Sequence, residues 1–70
     1  MSVKIYKAID RLDGRESLFA IKEGFMDVSS YWGEDDPWLS ADCLESLFPD
    51  TPLDWGRMIN PVLVAEHPDA

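Results

Sequence analysis

Cys43 is the only cysteine in a chain of 70 residues, and shortness combined with a single thiol sets the first limit on the fold. A chain of this length buries about 60% of its extended surface, so its core is marginal. Small scaffolds offset that weakness with disulfides, a metal or a partner. An intramolecular disulfide is excluded. A metal site is poorly supplied, because His67, near the C-terminus, is the one imidazole available to join the thiol. Good packing or association remains. Three tryptophans, three phenylalanines and two tyrosines can serve either purpose, since each aromatic buries about 150–250 Å².

The hydropathy pattern begins as strands. Val3, Ile5 and Ile9 share one face by two-residue alternation, with Lys7 the exception, so residues 3–9 read as a strand. Asp13-Gly14 is a hairpin signal, because a tight reversal needs positive φ and glycine supplies it cheaply. Residues 17–22 are then the returning strand, although Leu18-Phe19-Ala20-Ile21 also fits a buried helix closed by Gly24. A third short strand fits residues 25–29. Residues 30–39 mix Gly33, Glu34-Asp35-Asp36 and Pro37, which reads as a loop.

Two short helices are expected next. Ser40 suits an N-cap, with Asp42 and Glu45 near the positive helix end and an apolar stripe of Ala41, Leu44, Leu47 and Phe48 before Pro49. Thr51-Pro52-Leu53-Asp54 repeats that logic, with a threonine cap, proline at the first helical position and an acid further on. Pro61–Ala65 is a continuously apolar stretch suited to a strand in the middle of a sheet, placed beside the first strand. The expectation is an α+β fold, β-β-(β)-α-α-β: a small antiparallel or mixed sheet of three to four strands with one or two short helices packed on one face. It forms a single domain over residues 1–65, with a frayed tail at 66–70.

Charge supplies the strongest functional constraint. Six basic residues stand against 14 acidic ones, a formal net charge of −8. Residues 1–22 hold five of the basic and three of the acidic side chains. Residues 23–70 hold Arg57 alone against eleven acids. Such a field repels nucleic acid and anionic membranes and draws in basic partners. Direct binding of DNA or RNA needs Lys and Arg to neutralise phosphates and is not expected. The N-terminus carries no apolar stretch of signal-peptide length, and no apolar run is long enough to cross a bilayer, which points to the cytoplasm.

Chemistry at a catalytic centre has little to draw on. Nucleophilic catalysis needs Ser, Cys or Thr beside a base, yet His67 falls in the expected tail and Cys43 in mid-helix. No catalytic residue, cofactor or metal is assigned. Glu34-Asp35-Asp36 lacks the alternating spacing and downstream glutamate of a calcium loop, and three adjacent carboxylates most often form a solvated loop tip. Trp55 reads as core. Trp32 and Trp38 flank the acidic loop, where tryptophan serves equally as core or as an interface anchor.

These features point to a non-enzymatic binding protein. In size and acidity the chain resembles phage-encoded anti-defence proteins, anti-CRISPRs among them; the likeness is one of composition and rests on no motif. It implies an inhibitor or nucleic-acid-mimicking decoy that occupies a basic protein surface of a nucleic-acid-processing or host-defence complex. Glu34, Asp35, Asp36, Asp42, Glu45, Asp50 and Asp54 would supply the charge array, and Trp32 and Trp38 the apolar anchors. The alternative is an adaptor, a subunit of a larger assembly or a homodimer, bound through an exposed sheet edge or the Leu44/Leu47/Phe48 face.

Overall fold

Two tight reversals organise the first half of the chain. In the computed structural model, which describes residues 2–68, β1 (Val3–Asp10) and β2 (Glu16–Lys22) pair antiparallel across the turn at Asp13-Gly14. Gly14 takes φ +71° there, and the Asp13 carboxylate accepts the Arg15 amide at 2.9 Å. β2 and β3 (Phe25–Ser30) meet across Glu23-Gly24, with φ +53° and +85°. Positive φ at both central residues is the signature of the turn whose twist suits a two-residue hairpin. The Ser17–Lys22 alternatives therefore resolve as strand.

Two further strands complete the sheet. β4 (Thr51–Pro52) pairs with β3 through Phe25 and Met26, and β5 (Met58–His67) pairs antiparallel with β1. The order is β4-β3-β2-β1-β5. The last strand does lie beside the first. It lies at the sheet's edge, however, and not in its middle.

The expected α+β fold is overturned. The chain is mainly a five-stranded antiparallel sheet, and its helical pieces are the 3-10 turns Pro37–Leu39, Ala41–Ser46 and Trp55–Arg57. Ala41, Leu44 and Leu47 are spaced by three, which matches one face of a 3-10 helix as well as an α-helix. Ser40 does cap this segment, accepting the Asp42 amide at 3.2 Å, but Leu47 already has extended backbone. The residues between Pro37 and Pro49 divide into two separate 3-10 turns, because Ser40 between them takes extended backbone. Thr51-Pro52 is no helix start: proline is accommodated on the edge strand, and Asp54 caps the next turn by accepting the Gly56 amide at 2.9 Å.

Residues directly opposite in neighbouring strands share a face, which sorts the core into two clusters. Val3, Ile5, Leu18 and Ala20 face the segment 31–48 and are buried with Cys43 and Leu47; Tyr31, Trp38, Leu39 and Leu44 pack against them. On the other face, Ala8, Phe19, Met26 and Met58 are buried beneath Leu53, and the half-exposed Trp55 meets Tyr6 edge to face at 5.2 Å. A row of Leu63, Tyr6, Phe19 and Val28 crosses four strands on that side. The tail begins later than expected. β5 runs through Glu66 to His67, and His67 is buried. Asp69 and Ala70 lie outside the described residues.

Candidate interaction surface

The segment 31–50 is irregular because its hydrogen bonds are local and made largely by side chains. Gly33 takes φ +107°, and the Gly33 carbonyl accepts the Asp36 amide at 3.0 Å. The Asp36 carboxylate then accepts the backbone amides of Trp32 at 2.9 Å and Trp38 at 3.0 Å. Three longer ties fasten the segment to the sheet, the first from the Tyr31 amide to the Glu16 carbonyl at 3.2 Å. The Phe48 amide donates to Asp27 at 3.2 Å, and His67 Nε2 lies 3.0 Å from the Trp38 carbonyl. A carbonyl only accepts, so Nε2 carries the proton in that bond.

This construction separates the sequence-expected site residues by role. Glu34 and Asp35 stand exposed at the turn, and Asp42, Glu45 and Asp50 are exposed along the same segment. Trp32 is 79% exposed, the most open large apolar side chain among the described residues, and Phe48 is exposed as well. Asp36 is different: it is 4% exposed and works as a bracket for the loop. Trp38 packs into the core cluster. Asp54 is exposed but lies away from the group, where its carboxylate caps the Trp55–Arg57 turn. Six of the nine expected residues therefore belong to one covering layer as accessible groups.

The electrostatics of that layer follow from what it lacks. No lysine or arginine occurs between Lys22 and Arg57. The ion pairs Lys7–Glu16, at 4.0 Å, and Arg57–Asp10, at 2.9 Å, both lie in the sheet region. Among the described residues, none of the five exposed carboxylates of the layer is paired with a cation. Charges left in water keep their field, and a partner's cations can satisfy them at small desolvation cost.

The remaining chemistry is structural. Burial pushes the Cys43 thiol above its ordinary value. Among the described residues no three His, Cys, Asp or Glu side chains converge as a metal site. A cavity of about 300 Å³ opens beside Met26, between Arg11, Leu12, Pro52 and Arg57. Arg11 Nε there donates to the Gly56 carbonyl at 2.7 Å, and Arg57 is held by Asp10. Among the described residues no helix is long and apolar enough to cross a membrane.

Val62, Leu63 and Val64 are surface residues that the sequence pattern misplaces. A run of three apolar residues reads as a doubly covered central strand, yet they are 55, 47 and 39% exposed on the edge strand. The Leu44/Leu47 face is misplaced in the opposite sense: Leu47 is buried against the sheet and Leu44 packs there too. No family model, curated protein or solved structure matches this chain.

Proposed function

We propose that this chain is a non-enzymatic binding protein whose covering layer docks on a basic surface of another macromolecule. The observation that carries this reading is the combination, in one layer, of five exposed unpaired carboxylates with the 79% exposed Trp32. Carboxylates on a frame tied to a sheet can imitate an array of phosphates. They would displace counterions from a lysine- and arginine-lined groove as DNA does. Trp32 would supply the apolar and cation–π contact that fixes position beside that field. The surface best matched is the phosphate-tracking groove of a nucleic-acid-processing or host-defence complex, and the protein would act there as an inhibitor in the cytoplasm.

The charge reversal that tests this must avoid Asp36, whose loss would dismantle the loop. Glu34→Lys with Asp35→Lys keeps the bracket intact. Wild-type protein, the double reversal and Trp32→Ala are each immobilised and exposed to nuclease-treated lysate. The expected result is a basic protein retained by the wild type, lost with the double reversal and weakened at least about tenfold by Trp32→Ala. Equal retention by all three would refute the reading.

A further inference from the structure

We propose that the cavity beside Met26 binds a free apolar α-amino acid, with the ligand's carboxylate at Arg11 and its ammonium group at Asp54. Met26 belongs to the core cluster on the face of the sheet opposite the acidic layer, and Leu12 and Pro52 line the same cavity. The volume, about 300 Å³, stands at the lower end for small-molecule sites and suits a ligand of amino-acid size.

Gly56 sets the polar end. Its carbonyl accepts Arg11 Nε at 2.7 Å and its amide donates to Asp54 Oδ1 at 2.9 Å, so one residue holds a guanidinium and a carboxylate on either side of it. The two do not form an ion pair. Among the described residues, both Nη groups of Arg11 and Oδ2 of Asp54 make no hydrogen bond. Arg57, which also lines the cavity, is instead neutralised by Asp10 through two 2.9 Å bonds.

Charge selects the ligand. An anion would approach a molecule of net charge −8 and meet Asp54, while a cation would meet Arg11. A zwitterion has no net charge to repel and satisfies both groups with charge-assisted hydrogen bonds. An α-amino acid carries its ammonium and carboxylate on one carbon, which matches two groups flanking a single glycine. Its side chain then lies on Leu12, Met26 and Pro52. The frame is fixed before a ligand arrives: the Arg11 amide donates to the Arg57 carbonyl and the Leu53 amide to the Gly24 carbonyl, both at 2.9 Å. Both ends of the segment 53–57 are thereby tied to hairpin turns, which lowers the ordering cost of binding.

Titration of the isotope-labelled full chain with L-leucine, followed by amide NMR shifts, tests this. Leucine should move the Gly56 and Arg57 amides with a dissociation constant of about 1 mM or tighter. Leucinamide lacks the carboxylate, N-acetyl-leucine the ammonium group and glycine the side chain; each should bind at least about tenfold more weakly. That series needs only the wild type. Arg11→Gln and Asp54→Asn should each weaken leucine binding by at least about tenfold, and asparagine keeps an oxygen for the Gly56 cap, so the turn survives. No shift at Gly56 and Arg57 with about 10 mM leucine, binding of glycine or either blocked form equal to that of leucine, or undiminished leucine binding in either variant would each overturn the proposal.

Discussion

Asp10 and Arg57 stand 47 positions apart in the chain and meet through two 2.9 Å hydrogen bonds, from Nε and Nη2 to the two carboxylate oxygens. The Asp10 carboxylate is almost fully buried and also accepts the Leu12 amide at 3.0 Å. The Arg57 hydrogen bond holds its pKa below the ordinary carboxylate value of 3.8, with burial opposing. A lowered folded pKa means stability that is fully present above the ordinary value and is lost as pH falls through the lower one. Asp10→Asn should cost about 2 kcal/mol at neutral pH. Thermal melts of the two proteins should converge as pH falls below the ordinary carboxylate range; a constant gap would contradict the pair's role. Asp36 makes a second residue-scale prediction. Asp36→Ala frees two backbone amides and should cost about 2 kcal/mol, while Asp35→Ala should leave the melting temperature nearly unchanged. Neither aspartate stands out in sequence, where Glu34-Asp35-Asp36 reads as three equivalent surface acids. Burial by a loop's own backbone is a tertiary fact with no local signature. His67 was hidden for the same reason, since its partner is the carbonyl of Trp38, 29 positions away.

At the scale of elements, the first three strands were readable, while β4 was read as a helix start and the helices were not found. Alternation of Val3, Ile5 and Ile9 and the Asp13-Gly14 turn mark local, period-two structure, and β1 and β2 form where they indicate. Spacing by three at Ala41, Leu44 and Leu47 does not distinguish a 3-10 turn from an α-helix. Val62-Leu63-Val64 misleads because apolar continuity reports burial only when something covers both faces of the strand. The hairpin at Glu23-Gly24 supplies a direct test of element geometry. Glu23 holds φ +53° with a side chain poorly suited to it, so Glu23→Asn should raise stability by up to about 1 kcal/mol. Chemical denaturation reads this, and a destabilised Glu23→Asn would contradict the turn assignment.

At the scale of the molecule, charge and apolar surface divide between different sides. The layer 31–50 covers one face of the sheet and carries the exposed acids with Trp32 and Phe48. Lys4 and Lys7 lie on β1, beside the uncharged edge at β5. The linear segregation of charge foreshadowed this division, because residues 23–56 contain no cation and supply the whole covering layer. The most direct measurement of the docking account is the salt dependence of the dissociation constant of the complex captured by the wild-type protein. Affinity should fall at least about tenfold between roughly 50 and 200 mM salt, and Glu34→Lys with Asp35→Lys should flatten that slope. An affinity unchanged by salt, or a slope untouched by the double reversal, would contradict it.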